Sequence, residues 1–288
     1  MKNNFINRQN DEEKIKLLRA SSYAYANAKL GENIITVVLF LLSIAYPILY
    51  VLSKDEETKL ILFQVSFFLA VFVQVLSPLF KGNTFKGALL KEEFDTTLFG
   101  LPWKSTLKRI DPFEISILSN AYKGKEIKDW YATNIANQIT EHIQIAICQR
   151  CNTAYDIELR KKYSSFLFWL LILYTISFAI LIISKNIGGI SIFLICFSII
   201  SFYTHIITII RGHKNVIEKR SSINKVLDSY IFNEGAPSKQ ELRDIQDEIF
   251  LTRQENAKVP NLFFKLWNKK INRDIDDFII RVNRHFVR

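Results

Sequence analysis

The sequence predicts an all-α integral membrane protein, with four transmembrane helices in two hairpins and a helical cytoplasmic domain built from N-terminal, middle and C-terminal segments. Two observations support this fold class. Four apolar segments contain no Asp, Glu, Lys or Arg, and each approaches the ~20 residues that a helix needs to cross a hydrocarbon core. Polar residues 81–162 separate the first pair of segments from the second, and only short polar turns separate the members of each pair.

The predicted spans are residues 34–52, 60–80, 163–183 and 190–210. The alternative for any one of them is a buried helix of a soluble protein. Such helices usually carry their apolar residues on a single stripe, whereas these segments are apolar around the whole helix. Pro47 and Pro78 lie inside spans, and bilayer helices tolerate proline where neighbouring groups satisfy the freed carbonyls. Four such segments together favour the membrane.

Positive charge predicts the orientation of the chain in the membrane. Of the 38 Lys and Arg residues, only Lys54, Lys59 and Lys185 fall in the two hairpin turns. Lys and Arg beside the ends of spans remain on the cytoplasmic side, so both termini are predicted to be cytoplasmic. The predicted cytoplasmic segments are residues 1–33, 81–162 and 211–288. The net charge of +10 is attributed mainly to this topology, with an anionic ligand or anionic lipid as a further contributor.

The cytoplasmic segments are predicted to be mostly helical. Residues 11–30 are expected to form a helix that approaches the membrane, with acidic residues in its first turn. Residues 91–103 are interpreted as a turn-like packing segment, because Gly100 and Pro102 interrupt the apolar pattern. Asp111, which is followed by a proline, predicts the start of a short helix.

Two long helices are predicted to join the cytoplasmic part to the second hairpin. Apolar residues at mostly four-residue spacing predict one helix from about residue 127 into the third span. The fourth span is predicted to continue as a helix up to residues 233–235. In the tail, Ser238 and Glu241 have the spacing of a capping box, and a last helix is predicted over residues 261–285.

No metal site, cofactor or enzymatic activity is predicted. Cys148 and Cys151 have the spacing of a metal-ligand pair, and His142 lies six residues before Cys148. A structural zinc site needs four ligands, and the sequence offers no second pair of Cys or His residues. The two cysteines are therefore interpreted as small packing residues, and the three cysteines of the chain suit a reducing compartment. No nucleophile has a base and an acid in a recognisable arrangement, so the chain is predicted not to be an enzyme.

Polar residues form stripes on the apolar spans. The stripe in the fourth span consists of Ser198, Ser201, His205 and Thr208. Their spacing of three, four and three residues places them on one side of a helix. Gln74 and Ser77 belong to a similar stripe in the second span. In lipid, a stripe either forms hydrogen bonds between helices or lines a wet path, and several stripes together are residues that a multi-helix pore, opened only in some states, could use.

Aromatic and cationic residues are interleaved in the predicted cytoplasmic part. The aromatic residues are Trp103, Trp130 and Tyr131, and the cationic residues are Lys104, Lys108, Lys128 and Arg150. This mixture suits a nucleotide, because its bases stack on flat side chains and its phosphates need positive charge. The alternative is that the aromatic residues form a belt at the membrane interface. The sequence leaves both interpretations open.

Several short motifs along the whole chain resemble those of one known family. They are Arg8-Gln9-Asn10, Phe94-Asp95, Leu101-Pro102-Trp103, Asp129-Trp130-Tyr131 and Cys148-Gln149-Arg150, the last followed by Asn152, Asp156 and Arg160. They are similar to the motifs of the SMODS-associated four-transmembrane effectors of bacterial anti-phage defence. Residues 19–22 depart from the Gln-Arg pair often found there, which affects only the detail of the first helix.

The resemblance implies a function in cyclic-oligonucleotide signalling. In such systems, a nucleotidyltransferase encoded beside the effector makes a cyclic nucleotide upon infection. The effector then opens or oligomerises and disrupts the inner membrane, and the infected cell stops growing or dies. The implied partners are a cyclic di- or trinucleotide, the lipid bilayer and further copies of the chain, with no direct binding of DNA or RNA. Two alternatives stay open: a constitutive small channel or transporter, and a membrane-anchored signalling scaffold.

The expected ligand contacts combine this resemblance with the cationic and aromatic residues. The ligand phosphates are expected to contact Lys104, Lys128, Arg150 and Arg160, and its bases to stack on Trp103, Trp130 or Tyr131. Arg8 either completes this pocket or caps the first helix. The pocket is expected between the middle region and the tail, across subunits, so that ligand binding favours an oligomeric or open arrangement.

Overall fold

The computed structural model describes residues 5–76, 81–233, 235–254 and 258–287, and the regular structure in these ranges is helical. A short 3₁₀ helix, Phe5–Asn10, precedes eight α-helices in the described part of the chain. They are α1 (Glu12–Leu52), α2 (Glu56–Leu76), α3 (Lys81–Phe99), α4 (Pro112–Asn120), α5 (Glu141–Ser184), α6 (Ile190–Phe232), α7 (Lys239–Arg253) and α8 (Asn261–Phe286).

Three of these helices, α1, α5 and α6, are long and apolar enough to cross a membrane. Each contains a predicted span and its polar continuation in one unbroken helix, and Pro47 lies inside α1 without ending it. Helix α2 covers most of the second predicted span. The remainder of that span, including Ser77 and Pro78, lies outside the described residues. The chain is therefore an all-α protein with three helices that are long and apolar enough to span a membrane, and the span over residues 60–80 and the orientation remain predictions.

The apolar parts of α1, α5 and α6 pack on one another through a shared core. Its buried members include Ile35, Leu39, Leu159, Leu167, Phe202 and Ile206. The outer faces of the same helices expose large apolar side chains, among them Leu41, Trp169, Leu173 and Phe193. A soluble protein rarely exposes so much continuous apolar surface, and this pattern fits helices that face lipid.

The polar ends of the long helices form a second core with the remaining helices. Its buried members include Leu18 of α1, Phe94 and Leu98 of α3, Ile147 of α5, Leu227 of α6, Leu242 of α7 and Ile279 of α8. Because α1, α5 and α6 contribute to both cores, a displacement of one of these helices at its polar end also moves its apolar end.

Helix α3 corrects the prediction of a turn-like segment over residues 91–103. The helix continues to Phe99 and buries Leu90, Phe94 and Leu98 on one face. Gly100 has a φ of +63° and ends the helix, a conformation that glycine adopts without steric cost. Glycine and the following proline therefore mark the end of a helix here instead of interrupting its interior.

The start of α5 is a second correction. The predicted helix from residue 127 begins only at Glu141, and residues 121–140 contain no α-helix. Ile135 and Ile139 of this stretch are buried, so the regular spacing of apolar residues here comes from burial of an irregular chain and not from a helix. A helix through this region is incompatible with the φ of +48° at Asp129, which turns the chain toward the N-terminal segment.

The other helix boundaries confirm the predictions. Asp111 caps α4, because its carboxylate accepts hydrogen bonds from the backbone N–H groups of Phe113 and Glu114. Helix α6 extends to Phe232. Ser238 and Glu241 form the capping box of α7, and α8 follows from Asn261.

Candidate functional site

Two motifs that are far apart in the sequence bind each other directly. The backbone N–H of Tyr131 donates to the side-chain oxygen of Gln9 at 2.7 Å, and the Gln9 amide nitrogen donates to the Tyr131 carbonyl at 3.2 Å. Asn10 and Asp129 make a similar reciprocal pair at 2.8 and 3.0 Å. The N-terminal 3₁₀ helix, which lies immediately before α1, thereby fixes the irregular chain at residues 129–131.

The side chain of Tyr131 connects this pair of motifs to α3. Its hydroxyl donates to the carboxylate of Asp95 at 2.7 Å, and its ring packs between Phe94 and Phe99. The ring is buried, so Tyr131 presents no open face for stacking in this single chain. Burial, together with the negative charge of Asp95, raises the pKa of Tyr131 well above its usual value.

Two carboxylates of α3 meet two guanidinium groups of α7 in the interior. Asp95 lies 2.6 Å from Arg253, and Glu92 lies 2.7 Å from Arg243. Gln246 donates to both carboxylates, at 3.3 and 2.7 Å. Burial opposes ionisation of Asp95, yet the charges of Arg253 and a neighbouring lysine outweigh it and hold the pKa of Asp95 below its usual value.

That lysine, Lys91, lies beneath the half-exposed ring of Trp130. Its ammonium nitrogen is 3.8 Å from the Trp130 ring centroid, 4.1 Å from the Phe94 ring centroid and 3.4 Å from the Asp95 carboxylate. Burial lowers the pKa of Lys91 to about 7, although Asp95 acts in the opposite direction. Trp130 therefore has a cation on its inner face and an outer face open to solvent.

The structure places the two candidate arginines of α5 in internal ion pairs. Arg150 binds Asp228 of α6 through two hydrogen bonds of 2.7 and 3.1 Å. Arg160 is buried, pairs with Asp156 and lies 3.1 Å from a ring nitrogen of His213. Both guanidinium groups are thus occupied by groups of the same chain.

The other candidate cations and aromatic residues lie nearer the surface. Lys104 is 3.3 Å from Asp247, and the Trp103 indole donates to the Leu107 carbonyl at 2.7 Å. Lys128 is exposed and lies 2.8 Å from the exposed Glu126. Arg8 is also exposed. Among the sequence-predicted residues, Arg8, Lys128 and Trp130 are exposed and are chain neighbours of residues in the Gln9–Tyr131 and Asn10–Asp129 contacts.

A surface cavity of about 430 Å³ lies between α1, the end of α4 and residues 122–126, and its lining residue Glu126 pairs with Lys128. Its lining consists of Arg19, Ser119, Asn120, Tyr122, Gly124, Lys125 and Glu126. The sequence analysis did not select Arg19, Lys125 or Tyr122. The signal that could have drawn attention to this loop is the sequence Tyr-Lys-Gly-Lys at residues 122–125, which places an aromatic residue, a glycine and two lysines side by side. A side chain at Gly124 would overlap the Tyr122 ring, so glycine allows the tyrosine to fold over the loop.

The polar stripe of α6 makes internal contacts in this single chain. Ser198 and Thr208 donate to backbone carbonyls of their own helix, at 2.8 and 2.7 Å. His205 lies 2.9 Å from the hydroxyl of Thr36 on α1, and Ser201 is half-buried. The candidate Gln74 lies in α2, but its side chain, like the whole of Ser77, is outside the described residues. Within the described residues, His205 is therefore the member of the α6 stripe whose side chain joins α6 to α1.

A cluster of buried charges lies where the polar ends of α5 and α6 approach the spans. Asp156 pairs with Arg160 on its own helix and with Arg220 of α6 at 3.0 Å. Arg220 also donates to the hydroxyl of Thr252 on α7 at 2.9 Å. Burial opposes ionisation of Asp156, but the two guanidinium groups lower its pKa to about 2. This cluster connects α7 to both helices of the second predicted hairpin.

Comparison with known proteins gives a match over nearly the whole chain. The model of a family described as "SMODS-associating 4TM effector domain" matches residues 3–279. A curated relative from Bacillus cereus (strain VD146), described as a probable CBASS effector molecule, is 30% identical over 178 residues. That alignment spans 59% of the chain and 59% of the relative, which is less than two thirds of its length. No solved structure matches the chain.

Proposed function

Because the chain belongs to the SMODS-associating 4TM effector domain family, we propose that it is the membrane effector of a bacterial anti-phage system that signals through a cyclic oligonucleotide. The nucleotide is made by a nucleotidyltransferase that works together with the effector. Its binding to the cytoplasmic part opens or assembles the spans, and the loss of inner-membrane integrity arrests or kills the infected cell. In this proposal the chain acts by binding and not as an enzyme.

The continuity of α1, α5 and α6 is the observation that supports this mechanism. Gln9, which binds Tyr131, lies three residues before the start of α1, and the same α1 passes through the shared core of the spans. Helix α5 contributes Ile147 to the core of the polar ends and Leu167 to the shared core of the spans. A rigid helix transmits a displacement along its length, so a ligand at the cytoplasmic end has a direct mechanical path to the membrane.

We place the ligand at the cavity that Arg19, Tyr122 and Lys125 line, next to Lys128 and Trp130. Two cations at the cavity and a third beside it suit the phosphates of a cyclic nucleotide. Tyr122 and the outer face of Trp130 offer surfaces on which bases stack. Arg150 and Arg160 act in this proposal as structural residues, because their charges are already paired inside the chain.

Opening of the spans requires that the ligand bind the open state more tightly than the resting state. A ligand that bridges two copies of the chain supplies such a difference, since it has one partner in the monomer and two in the assembly. In this mechanism, the hydrogen bond between His205 and Thr36 breaks when α6 separates from α1.

The experiment for this function is leakage of ions and dye from liposomes that contain the purified protein, measured with a panel of cyclic di- and trinucleotides. We expect leakage with one nucleotide only. Leakage without any ligand would instead identify a constitutive channel. A nucleotide that binds without causing leakage would identify an anchored scaffold, and the absence of both binding and leakage with every nucleotide would contradict the proposal.

The ligand site has its own test, a binding titration of the active nucleotide with purified variants. Lys125→Gln and Lys128→Gln each remove a phosphate contact from exposed side chains, and we expect each to weaken binding by about tenfold. Lys239→Gln, an exposed lysine at the start of α7, is the matched control and should bind normally. Gly124→Ala, which displaces Tyr122, should weaken binding without loss of charge. Normal affinity in all three site variants would place the ligand elsewhere.

A further inference from the structure

Helix α8 begins at the level where α1 and α5 enter the apolar layer. The Lys29 ammonium donates to the side-chain oxygen of Asn261 at 3.0 Å, and Lys29 lies five residues before the first predicted span. The ring centroid of Phe263 is 5.0 Å from that of Tyr163 and 4.9 Å from that of Phe166. Tyr163 and Phe166 belong to the first turn of the third predicted span. Two separate helices thus position the start of α8 at the membrane boundary.

From this boundary, α8 runs along α5 away from the apolar layer. Asn268 accepts a hydrogen bond from Tyr155 at 3.0 Å, and the Phe278 ring lies 5.2 Å from the guanidinium of Arg150. Higher residue numbers on α8 pair with lower numbers on α5, so the two helices are antiparallel. The first turns of α8 are therefore its membrane-proximal part, and its later turns belong to the cytoplasmic core.

Two leucines on these first turns have no apolar partner for most of their surface. Leu262 is 65% exposed and Leu266 is 64% exposed, although both neighbour the buried contacts that Phe263 and Trp267 make. Exposed apolar side chains at the end of a helix that starts at a membrane boundary are typical of segments that enter the interface between headgroups and acyl chains.

Lysines alternate with the leucines along the start of α8: Lys265 lies between Leu262 and Leu266, and Lys269 and Lys270 lie beyond Leu266. Lys265, Lys269 and Lys270 are all exposed. Lys265 and Lys269 form no ion pair within the ranges that the structure describes. Lysine stems lie along apolar surface while the ammonium groups reach water or phosphate. The spacing of Leu262, Lys265, Leu266 and Lys269 places them on one face of α8, so apolar side chains and cations that can reach phosphate lie side by side.

We propose that the first two turns of α8 bind anionic phospholipids of the adjacent leaflet. Leu262 and Leu266 enter the boundary between headgroups and acyl chains, and Lys265 and Lys269 pair with lipid phosphates. The surface is continuous with the lipid-facing surface of α5, and its positive charge is complementary to an anionic leaflet. The inference rests on the membrane placement of α1 and α5 and is independent of any nucleotide.

The test measures the environment of one labelled position in liposomes. Leu262→Cys is made together with Cys196→Ser, because Cys196 is exposed whereas Cys148 and Cys151 are buried. The new cysteine at position 262 carries an environment-sensitive fluorophore. The matched control is Ile280→Cys, which is also exposed on α8 but lies ~27 Å farther along the helix. Aqueous iodide and a lipid with a spin label near its headgroup serve as quenchers. Helix content by circular dichroism verifies that the labelled variants fold.

In vesicles with phosphatidylglycerol, the label at position 262 should be quenched by the lipid and at least about threefold less by iodide than the label at position 280. Lys265→Gln combined with Lys269→Gln, or vesicles of phosphatidylcholine alone, should reduce this protection. Equal iodide quenching at both positions would overturn the proposal. Protection from both quenchers would overturn it in favour of a contact with a second copy. Protection that depends neither on anionic lipid nor on the lysines would overturn the assignment of the phosphate partner.

Discussion

At the scale of single residues, the phenol of Tyr131 links three distant parts of the chain. Its backbone binds Gln9, its hydroxyl binds Asp95, and Asn152 of α5 donates to the same hydroxyl at 3.4 Å. Four of the motifs identified in the sequence therefore converge on one buried side chain. Sequence analysis selected Tyr131 as a stacking surface, a role that stays a prediction, and the structure gives it a packing role in the single chain.

Replacing this tyrosine tests the packing role. Tyr131→Phe removes the hydroxyl that binds Asp95 and should lower the free energy of unfolding by about 1.5–3 kcal/mol, the range for hydrogen bonds to charged groups. The measurement is unfolding in detergent, followed by tryptophan fluorescence. Tyr122→Phe is the control, because the Tyr122 hydroxyl binds the Lys125 carbonyl at an exposed position. An equal effect of both substitutions would contradict the prediction.

Lys91 makes stability depend on pH in the neutral range. Its pKa is about 7 in the folded chain, whereas the ordinary value is 10.5. Between these values the unfolded chain binds the proton and the folded chain does not. The contribution of Lys91 to the free energy of unfolding therefore rises with pH from about 7 to 10, by at most ~1.4 kcal/mol per pH unit, and stays constant below pH 7.

Lys91→Met should flatten this dependence and stabilise the protein at pH 7, because it removes the cost of burying an ammonium group. Asp95 keeps its partner Arg253 in the variant. The measurement is the unfolding midpoint at pH 7, 8 and 9. Lys16→Met changes an exposed lysine of α1 and should leave the slope of the wild type intact. A slope that is unchanged in Lys91→Met would show that another group titrates.

At the scale of helices, end signals in the sequence located α4, α6, α7 and α8 within a few residues. These signals are local, since a cap depends on side chains and backbone groups within one turn. The predictions failed for α3 and for the start of α5. In both places, burial of apolar side chains by distant segments decided the conformation, and a periodic pattern alone does not reveal which segments are buried against which.

The cap of α7 has consequences for the buried network. Ser238→Ala removes one half of the capping box and should lower the free energy of unfolding by about 1 kcal/mol. Since α7 carries Arg243, Gln246 and Arg253 into the core, loosening its start also weakens their contacts with α3. Thermal unfolding in detergent is the measurement. Ser222→Ala, in the middle of α6, removes only an exposed hydroxyl and should be neutral; a larger loss there than in Ser238→Ala would contradict the prediction.

At the scale of the whole molecule, the charges around Asp156 connect the core formed by the polar ends of the long helices to the apolar parts of α5 and α6. Asp156→Asn leaves two buried guanidinium groups without their anion and should destabilise the protein by about 3–5 kcal/mol. Glu158→Gln changes a carboxylate two residues along the same helix that pairs only with exposed Lys161, and it should be neutral. Equal unfolding midpoints for the two variants would contradict the prediction.

The same cluster predicts acid sensitivity of the whole fold. The pKa of Asp156 is about 2 in the folded chain and ordinarily 3.8. The stabilisation that Asp156 provides is complete above pH 4 and is lost as the pH falls toward 2, because between these values the unfolded chain binds a proton that the folded chain does not. In Asp156→Asn, the unfolding midpoint should depend less on pH in this range than in the wild type. Unfolding midpoints measured between pH 5 and 2.5 test this prediction.

The sequence by itself determined the all-α class, the long apolar helices and most helix ends, because composition, periodicity and capping act over one or two turns. It also singled out the motifs that meet at Tyr131. Only the tertiary structure decided which charges are available to a ligand. Arg150 looks like a free cation in the sequence, yet the packing of α6 on α5 brings its partner Asp228 to it. Arg160 pairs with Asp156 four residues away on its own helix, as the sequence spacing predicts, and helix packing adds Arg220 to the same carboxylate. The cavity beside Arg19 likewise exists only because α1, α4 and the loop before Trp130 meet, and such contacts between distant segments leave no periodic signal in the chain.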